Sequence, residues 1–260
     1  ARTTTLIIAR LCLALAIVPT ASAQEVWTDE SFEVLEQPAD RMMETYLLDR
    51  LDRQFRRRDS MLAALETRAD WEAHVETITD SMQAWTGPFP ERTPLNARIT
   101  GRTEGEDYVV ENVIFESRPD FHVTANLYLP KGYDTPRPAV LNLIGHSDEG
   151  KSSDYVQRRS IAQAKKGFVA LSLDGLGQGE RQIEAYTRYG SNPGGVHKGI
   201  GLRAFLSGWH VFNIMAWDAI RAVDYLTSRD EVNPDQIAVT GASGGGQMAT
   251  YILPLEPRIS

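Results

Sequence analysis

The segment 237–252, IAVTGASGGGQMATYI, constrains this chain more than any other. It predicts a short apolar strand, a glycine-rich turn carrying Ser243, and a helix. Gly241-Ala242-Ser243-Gly244-Gly245 matches the G-x-S-x-G pattern of a nucleophile elbow. The physics of that pattern is steric. A serine on a strained strand-to-helix turn needs small residues two places before and two places after it, so Gly241 and Gly245 are the elbow glycines. The turn lifts the Ser243 hydroxyl above a sheet. It also aims the Gly244 N–H and the helix N-terminus at the space where an oxyanion would form. A bare five-residue match also suits a turn without chemistry. The strand before and the helix after are the context that favours the elbow.

The opposite end of the chain reads as a targeting segment. Arg2 and Arg10 lead into or flank an apolar run at 11–18, and Ala21-Ser22-Ala23 forms an A-x-A cleavage site before Gln24. The run is far shorter than the roughly 20 apolar residues of a membrane span. Cys12 lies inside it and has further apolar residues after it, which argues against a lipidated cysteine. Residues 1–23 are therefore expected to be a cleavable signal peptide, and the protein periplasmic or secreted. Cys12 is the only cysteine, so the mature chain would form no disulfide, which suits a bacterial exported enzyme. Cleavage removes two of 27 basic residues and none of the 35 acidic ones. That leaves 25 against 35, a net −10, and argues against nucleic acid or an anionic membrane as partner.

Between these ends, 29–86 reads as largely helical, within a helical N-terminal extension spanning 24–90. Met43, Leu47, Leu48, Leu51 and Phe55 share one helix face; Trp71, Val75, Ile78, Met82 and Trp85 share another. Both stripes are expected to be packing surfaces. The Arg56-Arg57-Arg58 cluster reads as a solvated helix end, and Gly87-Pro88-Phe89-Pro90 stops the helices. Candidate strands follow at 95–101, 108–116 and 121–129. In the last, Phe121, Val123, Ala125, Leu127 and Leu129 alternate with His122, Thr124, Asn126 and Tyr128. Such alternation suits antiparallel strands.

Residues 139–144 are apolar except for Asn142, as a buried parallel strand requires. A loop at 145–153, a helix at 155–166, a second buried strand at 168–173 and a loop at 174–181 come next. Residues 182–208 read as a long irregular stretch, a wall over the site. A helix at 210–226 then precedes the strand that enters the elbow. Taking 108–116 and 121–129 as the first two strands, the elbow follows the fifth. The fold class is therefore α/β: the first half of the mostly parallel sheet of an α/β-hydrolase fold, spanning 91–260, behind the helical extension.

Several segments carry a family resemblance together. They are PERTPLNARITG at 90–101, NVIFESRPDFHVTANLYLP at 112–130, GHSDEGK at 145–151, LDGLGQGER at 173–181 and VTGASGGG at 239–246. In combination they resemble the bacterial acetyl-xylan-esterase-like and dienelactone-hydrolase-like α/β hydrolases, over roughly 85–255. The resemblance implies an exported serine carboxylic-ester hydrolase working through an acyl-enzyme, a carbohydrate deacetylase acting on a small-molecule or carbohydrate ester. Dienelactone hydrolases proper carry cysteine where this chain has Ser243, which favours the esterase side. Prolyl-oligopeptidase-type serine peptidases share the sheet and elbow and stand as the alternative. The family also carries its acid and histidine on loops well past the elbow, whereas this sequence reaches only Ser260. The expectation is a domain whose C-terminal part is missing here, with a catalytically incomplete fragment as the further alternative.

Acyl transfer at serine needs a nucleophile, a base held by an acid, and donors for the oxyanion. Ser243 is the expected nucleophile and Gly244 N–H one donor. The second donor is expected from the loop after the third strand, from Ser147 first and His146 next. His146 also reads as a loop histidine that only packs the elbow. His74, His122, His197 and His210 are expected at surface or structural positions, with His197 on the stretch that covers the site. Asp174 reads as a turn residue before Gly175, and Glu180 and Arg181 as a pair bracing their loop. The scattered histidines show no metal-ligand spacing, and Gly177-Gln178-Gly179 has no helix opening on it. No metal and no cofactor are expected.

Overall fold

The computed structural model describes residues 39–182 and 193–260. The expected signal peptide lies outside them, as do residues 183–192 of the stretch expected to be irregular.

The chain divides into two compact units at Glu66/Thr67. The first holds helix α1 (Met42–Ala63). None of its residues is buried, and Met43, Leu47, Leu48, Leu51 and Phe55 are all about half exposed or more. The expected packing role of that stripe is therefore corrected. Among the described residues of this unit, α1 is the only α-helix, and it meets no second apolar surface to bury its stripe against.

In the second unit, α2 (Arg68–Thr86) starts at a capping box. Asp70 N donates to Thr67 Oγ1 at 3.2 Å, and Thr67 N donates back to Asp70 Oδ2 at 2.8 Å. Gly87, at φ 76°, ends the helix. Trp71, Val75 and Ile78 stay exposed, whereas Met82 packs on the core. The second stripe thus packs only at its C-terminal end.

The sheet comprises β1 (Arg98–Glu104), β2 (Tyr108–Arg118), β3 (Phe121–Pro130), β4 (Arg137–Leu143), β5 (Val169–Leu173) and β6 (Val232–Gly241). Its order is β1-β2-β3-β5-β4-β6. The pairs β1–β2, β2–β3 and β3–β5 are antiparallel; β5–β4 and β4–β6 are parallel. The alternation read in β3 is realised: Val123, Ala125, Leu127 and Leu129 are buried in the main core. That core also takes Phe212, Ala216, Trp217, Ile220 and Val223 of α5 (Val211–Thr227), and Met248 and Ile252 of α6 (Gly244–Ile252). On the other face Tyr128 and Ala170 pack on Ala164 of α3 (Asp154–Lys165). The sheet is thus the middle of three layers, the arrangement an α/β order demands. Asn142, the lone polar residue of β4, is matched by Gln163 of α3, Nδ2 to Oε1 at 2.8 Å.

One expected loop is a helix. Residues read as irregular form α4 (Pro193–Leu206). Gly194, Gly195, Gly199 and Gly201 lower its helix propensity, and tertiary contact overrides them.

Candidate active site

β6 ends at Gly241 and α6 begins at Gly244, so the turn between them sits at the carboxyl edge of the parallel strands β5, β4 and β6. Ser243 occupies it with φ 53° and ψ −126°. A non-glycine residue in that region carries strain on the order of 1–3 kcal/mol. The elbow glycines explain how the strain is held. A Cβ on Gly241 would collide with the Gly245 carbonyl, and one on Gly245 with the Leu143 carbonyl. Both obstacles are backbone and cannot swing aside. Gly145 completes the close approach: its Cβ would lie 2.6 Å from the Ala242 carbonyl oxygen and 3.0 Å from Ser243 Cβ. The loop after β4 is thereby pressed against the turn.

Ser243 is exposed, and among the described residues its Oγ has no hydrogen-bond partner. Gly244 opens α6, in the first turn whose N–H groups lack intrahelical acceptors. Beside it lies a cavity of about 340 Å³ lined by Trp85, His146, His197, Phe212, Gly244 and Gln247, among others. Of the two residues expected to offer the second oxyanion donor, His146 lines this cavity. With its amide turned so that the nitrogen faces the carbonyls, the buried Gln178 donates to the Gly145 carbonyl at 2.8 Å and the Ser147 carbonyl at 3.2 Å; in the opposite amide orientation its Oε1 accepts from the Ser147 N–H at 3.3 Å. Gln178 thus fixes the curvature of the loop that carries both candidates.

Asp174 is more than a turn residue. It is fully buried at the end of β5 and collects Lys151 Nζ at 2.5 Å, Lys151 N at 2.8 Å and Thr124 Oγ1 at 2.7 Å. A Cβ on Gly150 or Gly179 would strike its carboxylate. One side chain therefore ties the loop after β4 to the loop after β5. Glu180 and Arg181 do not pair with each other, contrary to expectation. Glu180 reaches Lys151 at 2.5 Å and Arg181 reaches the buried Asp218 at 2.8 Å. Each is drawn to the opposite charge available across the loop.

The histidines separate. His74 lies edge-on to Trp71, and His122 lies 3.6 Å from Glu116. His210 packs on Trp85 with ring centroids 5.2 Å apart. His197, carried by α4, reaches the site: its Nδ1 is 3.0 Å from His146 Nε2, and its Nε2 is 2.8 Å from the Leu176 carbonyl oxygen. Burial lowers the His197 pKa from its ordinary 6.5; the bond to Leu176 opposes the shift and His146 adds to it. The sequence placed His197 on the stretch over the site and made it the least implausible substitute base, but its pairing with His146 was not legible because α4 itself was not. Among the described residues, no group of three or more His, Cys, Asp or Glu could hold a metal ion. No helix there is long and apolar enough to cross a membrane.

The family model Acetyl xylan esterase (AXE1) matches residues 91–260. The hydrolase-named protein YtaP of Bacillus subtilis (strain 168) is 30% identical over 183 residues, covering 66% of this chain and 58% of its own. Among solved structures, Methylesterase BT1017 superposes with a TM-score of 0.62 at 21% identity, over 77% of this chain and 42% of that one. Acetyl Xylan Esterase 1 from Thermoanaerobacterium sp. JW/SL YS485 gives 0.51 at 19%, over 75% and 57%. The structural matches share the α/β-hydrolase fold, and this chain spans less than two thirds of each of these relatives.

Proposed function

The chain belongs to the acetyl xylan esterase family, and from that premise we propose that it is a serine carboxylic-ester hydrolase that removes acetyl groups from carbohydrate. The single observation that carries the reading is Ser243 held at positive φ on the β6–α6 turn, exposed beside the cavity. In this reading Ser243 Oγ attacks the ester carbonyl. The Gly244 N–H meets the oxyanion, with the loop of His146 and Ser147 supplying the second donor. One such donor is worth about 3 kcal/mol of transition-state stabilisation.

The cavity also suits a sugar. Trp85 lies outside the matched residues 91–260, on α2, yet lines the cavity half exposed, braced by His210 and Phe212 at 5.2 Å each. A fixed aromatic face accepts the apolar side of a pyranose, while Gln247 and His146 offer hydrogen bonds to its hydroxyls. We further infer export, on the strength of the apolar run at 11–18 and the Ala21-Ser22-Ala23 site.

The test uses the full-length protein. A fluorophosphonate probe is expected to label the Ser243 peptide. Ser243→Ala is expected to lower kcat on acetylated xylo-oligosaccharide by about 10⁴-fold or more, leaving the fold intact. An unlabelled Ser243, or a Ser243→Ala variant that still turns over, would refute the assignment.

A further inference from the structure

The His146–His197 contact has one chemically consistent proton arrangement. A carbonyl oxygen only accepts, so His197 Nε2, 2.8 Å from the Leu176 carbonyl, carries hydrogen. Burial and the neighbouring His146 favour neutral His197, and a neutral ring protonated at Nε2 has a lone pair at Nδ1. That lone pair lies 3.0 Å from His146 Nε2, which must then be the donor. A neutral His146 with hydrogen on Nε2 presents a bare Nδ1. The Nδ1–Cε1 edge of that ring is the one that overlies the elbow: a Cβ built on Gly244 would lie 3.1 Å from Cε1 and 3.2 Å from Nδ1, but 3.9 Å from Nε2. The chain Leu176 carbonyl, His197, His146 thus ends in a hydrogen-bond acceptor at the mouth of the cavity that holds Gly244.

We propose that His197 is a positioning residue that locks His146 in its Nε2-protonated tautomer, so that Nδ1 reads a hydroxyl next to the scissile ester. The inference rests on the serine-esterase reading and deepens it. The preferred substrate is the monoester of a vicinal diol, the chemistry of a partly acetylated sugar, rather than an isolated ester. The residue that sets the acceptor, His197, does not itself touch the substrate in this reading. His197 touches the Leu176 backbone and His146, and α4 carries it there with Val196 buried against Gly177.

The full-length protein tests this with two readouts. In ¹⁵N spectra of the imidazoles, His146 is expected as the Nε2–H tautomer alone. In His197→Ala it becomes a mixture. His197→Gln restores the single tautomer, because a glutamine amide can donate to the Leu176 carbonyl and accept from His146. In turnover, trans-2-hydroxycyclohexyl acetate is expected to exceed cyclohexyl acetate in kcat/KM by about 5- to 10-fold, the worth of one neutral hydrogen bond. The preference disappears in His197→Ala and returns in His197→Gln. An Nδ1–H tautomer in the unsubstituted protein overturns the proposal, as does a hydroxyl preference that survives His197→Ala. If neither acetate is hydrolysed, the esterase reading falls, and the tautomer spectra still decide whether His197 sets His146.

Discussion

At Ser243 the backbone itself holds the geometry: a residue at φ 53° is wedged between two glycines whose hydrogens face carbonyl groups. At Asp174, across the loop after β4, the work is done by a side chain that accepts from Lys151, Thr124 and the Glu180 N–H. The first device stores strain and leaves its hydroxyl exposed; the second removes a carboxylate from water and matches it on several sides. Both hold the same loop, one by pressing Gly145 against Ala242 and the other by anchoring Lys151. The difference teaches what each region is for. A strained turn with an exposed hydroxyl lowers stability in exchange for reach. A matched buried carboxylate lends rigidity and touches nothing that reacts.

The sharpest way to break that contrast is to remove the carboxylate. Asp174→Ala leaves Lys151, 5% exposed, with only the exposed Glu180 as charge partner among the described residues. Removing one member of a buried pair is expected to cost about 3–5 kcal/mol, read as a lower urea midpoint. Adding Lys151→Met should recover part of that loss, because the stranded charge goes with it. If Asp174→Ala were near neutral, the carboxylate would be no anchor and the two loops would be held by the glycine contacts alone.

A smaller effect separates the glycines of the elbow from their neighbour. Gly245→Ala drives a methyl into the Leu143 carbonyl, so a loss of about 1–3 kcal/mol is expected. Gly246→Ala meets the Gly241 oxygen at 3.3 Å and needs only slight adjustment. Its gain in helix propensity is up to about 1 kcal/mol, so it should come out near neutral or better. Thermal melts of the two variants decide the matter; equal losses would mean the turn is not held by backbone contact at Gly245.

These two regions also differ in how well they could be read in advance. The elbow is local. Its five residues are contiguous, and the small size at Gly241 and Gly245 follows from the turn they flank, so sterics written in the sequence reappear as contacts. The change from antiparallel to parallel strands was legible for the same reason: β3 alternates and β4 does not, and those periods encode which faces are covered. The Asp174 anchor joins residues 23 positions apart in sequence, Lys151 to Asp174, and no local pattern announces that pairing. Before Gly175, an aspartate looks like a turn former. Helix α4 was hidden by its own glycines, and with it the placement of His197 against His146. The exposed stripe of α1 failed differently: periodicity shows that a face is apolar, and it carries no information on what covers it.

The smallest effect expected sits where the two regions meet, at His197. Its pKa in the folded protein lies below the 6.5 of the free side chain, chiefly because it is buried. The unfolded chain therefore takes up a proton at higher pH than the folded one. Above about pH 6.5 both states are neutral at this residue and it adds no slope. As pH falls below that value the unfolded state gains the proton first, and stability declines until the folded pKa is passed. Protonation of Nδ1 also removes the acceptor for His146, so the coupling between α4 and the elbow loop should loosen over the same interval. His197→Gln keeps both hydrogen bonds and cannot titrate. Urea midpoints at pH 8 and pH 5 should therefore fall less in His197→Gln than in the unsubstituted protein. An identical decline in the two would show that another group governs the acid side, and that the His146–His197 contact survives protonation.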